Sequence, residues 1–194
     1  RGLGDVYKRQ VPYDAALNPL YEITYGVRIY VRDNESLQQP MNFNTDTPGT
    51  YNMQIESGWL KARIRGPNAT IKHDCDIAGA IDTVNTWYDL AVTYDGAYQR
   101  VYKYGIEINN LGWSNTIHQP DPGDLIIMAH ADLSGRLDGI IDVAYVYNRA
   151  LSADEIRELY VNPYLPLWKP AAVSVWDMAT VPIFAYHYRR RRVS

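Results

Sequence analysis

WYDLAVTYDGAYQRVYKYGIEI, residues 87–108, holds two runs rich in β-branched and aromatic residues, separated by the tight-turn tetrapeptide YDGA at 94–97. Alternation with a period of two residues puts successive side chains on opposite faces of a strand, and Asp-Gly between two such runs is a strong hairpin signal. Working outward, similar runs occupy residues 21–31, 51–56, 59–65, 106–109, 124–130 and 139–147. The turn sequences DTPG (46–49), RGPN (65–68) and PDPG (120–123) punctuate them. Helical patterns of 10 to 15 residues are missing between these runs, so the chain reads as all-β, an antiparallel β-sandwich or barrel, and not as βαβ units.

One helix is expected, and it lies directly after the run at 139–147. Ser152 is placed to cap it, and Glu155, three residues on, is placed to reach back to the cap's N–H. Ile156, Leu159 and Tyr160 then make one apolar stripe, and Asn162-Pro163 ends the segment. Two turns of helix are too short to be stable alone, so the stripe must dock on the sandwich. In the preceding strand, parity sends Ala144, Val146 and Asp142 inward and Val143, Tyr145 and Tyr147 outward. That apolar outer face needs a cover, and AAVSVW (171–176) and PIFAYHY (182–188) in the C-terminal tail are candidates.

The 194 residues suit one domain with a tail. Tyrosines number 17 against 2 phenylalanines, a bias that fits half-wet sheet faces because a ring with a hydroxyl can pack and hydrogen-bond at once. Cys75 is the lone cysteine, which excludes an internal disulfide framework and multi-cysteine zinc sites and reads as a buried, inert thiol. The first ten residues, RGLGDVYKRQ, resemble a sequencing-library adapter translated in frame. They are set aside, and the domain is expected over residues 11–164 with its first strand or two lost upstream. Without Arg1, Lys8, Arg9 and Asp5 the chain keeps 16 basic and 21 acidic residues. The extension at 165–194 holds Lys169 and Arg189 to Arg192 against Asp177, so the body is strongly acidic. Such a body argues against a nucleic-acid partner, because neutralising phosphates needs clustered Lys and Arg. The basic end reads as a solvated tail, and Pro170, Pro182 and Asp177 argue against a membrane span there.

The quoted stretch, with its Trp, its Val-Thr-Tyr-Asp-Gly and its Gly turn before a returning strand, resembles the central signature of laminin-G-like, concanavalin A-like lectin/glucanase jelly-roll domains. LDGIIDVAYVYNRALSADEIRELY (137–160) resembles the closing strand and helix of the same family, and VPYDAALNPLYEITYGVRIYV (11–31) its early loop and first long core strand. The resemblance implies a jelly roll with one short C-terminal helix, and recognition or adhesion at an extracellular, cell-surface or virion location. The implied partner is a glycan or surface glycoprotein. A structural decoration domain of a phage or bacterial surface protein is an alternative.

The residues bear on three chemistries. Glycoside hydrolysis needs two carboxylates flanking the scissile bond. The sandwich glucanases carry them on one strand in a Glu-x-Asp-x-Glu pattern that none of the six Glu residues here completes, so catalysis is not expected. A Ca²⁺ site is suggested by Asp132 and Asp138 in the loop HADLSGRLDG (130–139), since hard cations take oxygen ligands from several positions. Asp and Gly are also what tight turns select. Aromatic ligand binding is suggested by NNLGWSNTIHQPDPGD (109–124), a polar loop with Trp113, Asn115, His118 and Asp121: a ring for a sugar face and polar groups for hydroxyls. The alternative for Trp113 is a plug at the edge of the sandwich.

Overall fold

A computed structural model of the chain describes residues 9–43, 50–67, 72–119, 123–129, 134–165 and 184–187. Twelve strands and two helical turns follow in the order β1 (Arg9–Val11), a 3-10 turn (Ala15–Leu17), β2 (Ile23–Val31), β3 (Gln38–Phe43), β4 (Tyr51–Glu56), β5 (Trp59–Arg65), β6 (Lys72–Ile77), β7 (Thr86–Tyr94), β8 (Tyr98–Lys103), β9 (Ile106–Gly112), β10 (Leu125–Ile127), β11 (Gly139–Tyr147), α1 (Ala153–Val161) and β12 (Phe184–His187). They build two antiparallel sheets. Sheet A has the order β1-β10-β3-β4-β5-β6, and sheet B the order β12-β11-β2-β7-β8-β9. This is the expected all-β sandwich with its one short α-helix.

Alternation explains the core. Ile23, Tyr25, Val27, Ile29 and Val31 of β2, Tyr51, Met53 and Ile55 of β4, and Tyr88, Leu90, Val92 and Tyr94 of β7 all point between the sheets and are buried. Tyrosines fit there because their hydroxyls find carbonyls: Tyr25 reaches those of Asn52 and Arg63, and Tyr51 that of Leu17. Cys75 is buried in the same core, and burial pushes its thiol up to about 11, so it stays a thiol.

Strands β3 and β6 escape pattern reading for identifiable reasons. QQPMNF carries a proline in mid-strand, which the sheet accommodates at a register irregularity between Gln38 and Met41. KHDCDI alternates correctly but presents charge, as suits a strand at the end of the sheet A order. Arg9 and Gln10, set aside on sequence grounds, pair opposite Ile127 and Ile126.

The outer face of sheet B corrects the expectation for Asp142 and divides the expected cover between the helix and the tail. A register shift between Ile141 and Val143 takes up one residue of β11, so Ile141 enters the core while Asp142 turns outward. There Asp142 lies 3.5 Å from Arg28 Nε and accepts a 3.0 Å hydrogen bond from the Tyr164 hydroxyl. The inward placement of Asp142 assumed an unbroken period of two, which the bulge interrupts. Val143, Tyr145 and Tyr147 do face outward, and helix α1 covers them: Ile156 and Leu159 join them with Ala91, Tyr102 and Leu151 in a second buried cluster. Tyr160 stays exposed at the rim of that contact, packed near Tyr104. The tail contributes β12, which pairs antiparallel along residues 143–146 of β11. The other tail candidate, 171–176, lies outside the described residues. Gly26 is required beneath this cluster, because a Cβ there would overlap the Tyr145 hydroxyl.

Candidate functional site

The loop carrying Trp113 leaves β9 at one end of the sandwich and is pinned at three points. Trp113 N–H donates to the Ala97 carbonyl at 2.7 Å, Ile117 N–H to that of Leu20 at 2.8 Å, and His118 N–H to that of Arg65 at 2.7 Å. The indole is half-buried against the core, stacked on the His73 ring at 4.7 Å and tilted against Tyr94 at 5.2 Å. Burial holds the His73 imidazole below its ordinary value, so at neutral pH the stacking partner is an uncharged ring. Trp113 therefore sits as an anchor at the sandwich edge, with one face already occupied.

That anchor presents Asn115. The Tyr94 hydroxyl donates to the Asn115 carbonyl at 2.6 Å, with the Trp113 carbonyl at 3.1 Å, and accepts from Asn115 N–H at 3.1 Å. The backbone of Asn115 is thus held from below while the residue itself is exposed. His118 Nδ1 lies 3.2 Å from the Pro67 carbonyl, a contact that requires the proton on Nδ1, since a carbonyl only accepts. Asp121 lies outside the described residues.

Two further segments meet this loop. In the β7–β8 turn, Asp95 accepts from Ala97 and Tyr98 N–H at 2.9 and 2.7 Å and pairs with Arg100 at 2.6 Å. Burial pulls its carboxyl up, but the guanidinium and the two amides outweigh that and hold it below the usual carboxylate range. Tyr98 follows, 47% exposed, with its ring over Gly112 and beneath the Arg100 guanidinium. Tyr21, 61% exposed, precedes β2 and follows Leu20, whose carbonyl accepts from Ile117 N–H of the Trp113 loop. Neither tyrosine stood out in the sequence. Tyr21 reads there as the first residue of a strand that begins at Ile23, and Tyr98 as one more β-former in a chain with many.

The metal candidates are separated from this rim. Asp138 is exposed at the start of β11, where its carboxylate lies 3.6 Å from Arg32 and its N–H donates to Gln38 Oε1 at 2.9 Å. β2 runs from Ile23, opposite Tyr94, to Val31, opposite Gly139. The eight steps between its nine residues, at roughly 3.4 Å each, put the two loops about 27 Å apart, at opposite ends of the sandwich. Asp132 lies outside the described residues, and among those described three metal-ligating side chains do not come together.

Comparison with known proteins gives a consistent picture of the fold. The laminin-G-type profile of the concanavalin A-like lectin/glucanases superfamily matches residues 8–157. No curated protein matches the chain. Among solved structures, the CBM40 module of the Ruminococcus gnavus IT-sialidase bound to alpha2,3 sialyllactose is 16% identical, with a TM-score of 0.64 over 81% of this chain and 100% of its own. A SAP-like pentraxin of Limulus polyphemus is 12% identical, with a TM-score of 0.57 over 82% of this chain and 78% of its own. The botulinum neurotoxin serotype G binding domain is 15% identical, with a TM-score of 0.57 over 86% of this chain and 40% of the toxin domain. At these identities the likeness is one of fold.

Proposed function

The chain belongs to the concanavalin A-like lectin/glucanases superfamily, and we propose that it is a non-catalytic recognition module holding a glycan, or a glycan-bearing surface ligand, on the rim around Asn115. The observation that carries this reading is the anchored rim itself: Tyr21 and Tyr98 stand exposed on segments tied to the Trp113 loop. Flat phenol rings take the apolar face of a sugar, and the Asn115 amide and His118 supply donors and acceptors for its hydroxyls. Loops on a rigid sandwich are where binding groups are commonly carried. Trp113 serves as the positioning residue, and Asp121 completes the polar set. That one structural relative is a module bound to a sialylated sugar, and another a toxin binding domain, supports recognition over catalysis. The setting that goes with such a module is extracellular, at a cell surface or on a virion. No helix of the described residues is long and apolar enough to cross a membrane. Ca²⁺ through Asp132 and Asp138 belongs to the proposal as a separate site.

A glycan array probed with and without Ca²⁺ tests this. Tyr21→Ala, Tyr98→Ala and Asn115→Ala are each expected to weaken the wild-type signal about tenfold, the cost of one lost stacking or hydrogen-bonding partner. A wild-type protein silent on the array would identify a decoration domain instead. Turnover of a glycan, abolished by removing one carboxylate, would identify a hydrolase.

A further inference from the structure

We propose that the stacked pair of His73 and Trp113 is an acid-sensitive latch on the rim loop: the loop is held while His73 is neutral and opens around Trp113 once His73 takes up a proton. The latch stands on buried geometry, and only its consequence for a ligand rests on the rim reading. On β6, His73 shares the inward parity of Cys75, which lies in the core. It is 6% exposed and stands where the end strands of the two sheets, β6 and β9, come together. Trp113 covers one face of the imidazole, with the ring planes 12° apart. Gln99 of β8, itself fully buried, meets the edge of the ring, with its Oε1 2.6 Å from His73 Nδ1.

Hydrogen bonding fixes the resting state. Gln99 Nε2 donates to the Ala62 carbonyl at 2.9 Å, so Oε1 is the atom turned toward His73. An amide oxygen only accepts, which puts the imidazole proton on Nδ1 and leaves a lone pair on Nε2. Nε2 is buried, and among the described residues no hydrogen bond closes on it. The neutral ring is therefore satisfied at the one nitrogen that must donate. Protonation adds an N–H at Nε2 and puts a full charge where the indole and the core exclude water. Burial acts against that charge and outweighs what favours it, namely the Gln99 oxygen, the Gly112 carbonyl and the Asp74 carboxylate.

The other charged and titratable groups around the stack are engaged elsewhere or stay neutral. Asp74 points to the opposite face of β6, 2.6 Å from Arg65 and 3.7 Å from Arg63 of β5. Arg100 of β8 and Glu107 of β9 pair on the outer face of sheet B. The Cys75 thiol and the Tyr94 hydroxyl are both raised by burial and keep their protons. His73 is thus the group poised to change charge in the mildly acidic range. In the opened loop it regains water and its ordinary value near 6.5, higher than in the latched ring. The open form binds more protons, so the latch is fully effective above about pH 6.5 and weakens as pH falls through that value. The open-to-closed ratio rises by up to about tenfold per pH unit. What opens is the contact that presents Asn115, where the Tyr94 hydroxyl bonds the Trp113 and Asn115 carbonyls; Ile117 and His118 stay pinned to Leu20 and Arg65. On the rim reading, a ligand taken up at neutral pH is released at mildly acidic pH.

The test is fluorine NMR of the whole chain carrying fluorinated tryptophan, from about pH 8 to about pH 5, with the Trp113 resonance assigned through Trp113→Phe. A second Trp113 resonance, at the position of a solvated indole, is expected to grow as pH falls while the other tryptophans stay in place. In the wild type, the His73 ring nitrogens, assigned by their contact with Trp113, are expected to titrate below about 6.5. His73→Phe keeps the stack and His73→Asn keeps a donor to Gln99; neither titrates, so each is expected to abolish the second resonance, and the wild-type titration decides the matter if both fail to fold. Tyr21→Ala, which the rim reading expects to weaken ligand binding, is expected to keep the transition. The inference is overturned if Trp113 is unmoved across the range, if it packs more tightly in acid because the charged ring grips the indole face, if a folded His73 variant keeps the transition, or if His73 titrates at or above its ordinary value. A glycan array silent at every pH, with the transition intact, would remove the rim reading and leave the latch standing.

Discussion

Replacing Asp89 with Asn should stabilise this protein at neutral pH and flatten part of its pH dependence. Asp89 sits on β7 beneath helix α1, 3.8 Å from Arg28, which also serves Asp142. Burial pushes its carboxyl up to about 6; Arg28 pulls the other way, and the nearby Asp142 charge pushes in the same direction as burial. An unfolded aspartate titrates near about 3.9, and one pKa unit corresponds to about 1.36 kcal/mol. The shift therefore sets a ceiling of about 3 kcal/mol, which partial solvation of the site reduces to about 1–2 kcal/mol. The sign follows from the folded value being the higher one. Stability from this group is complete below about pH 4, where both states are protonated, and is lost as pH rises through 6. Carboxylates held low, such as Glu155, act in the opposite sense, so the informative quantity is Asp89→Asn minus wild type at each pH. Urea denaturation at half-unit steps from pH 4 to 8 should give a difference near zero at pH 4 that climbs to about 1–2 kcal/mol by pH 7, or roughly 2–4 °C in Tm per kcal/mol. A flat difference, or a variant less stable at pH 7, would show that Arg28 dominates the site and that burial does not.

Other consequences can be checked on the same material. Glu155 is held down to about 2, first by the Arg149 guanidinium at 2.6 and 3.1 Å and then by the Ser152 amide and hydroxyl, against burial. Its contribution is present above about pH 4.5 and lost as pH falls toward 2, and Ser152→Ala should cost about 1 kcal/mol at pH 7, measured by urea denaturation. Trp113→Ala removes a ring packed between His73, Tyr94 and the core, and should cost about 3 kcal/mol with loss of near-ultraviolet dichroism. A surface-exposed Trp would cost a few tenths. Gly26→Ala must displace Tyr145 and should cost about 1–3 kcal/mol in thermal melts, with Tyr145→Phe in the same background recovering part of it.

Adjacent residues determined much of this molecule. Alternation in residues 88–94, Asp-Gly at 95 and 96, and the Ser152–Glu155 capping box are decided within a few positions of chain, because strand parity, turn geometry and helix capping depend on local backbone sterics and short-range hydrogen bonds. The outward set Val143, Tyr145 and Tyr147 was legible for the same reason. What only the tertiary structure decided are matters of pairing. Whether Ile141 or Asp142 enters the core depends on a bulge opposite Arg28, more than a hundred residues away in sequence. That Trp113 anchors depends on His73 and Tyr94 arriving from different sheets, and that Tyr21, Tyr98 and Asn115 share a rim depends on three loops closing at one end.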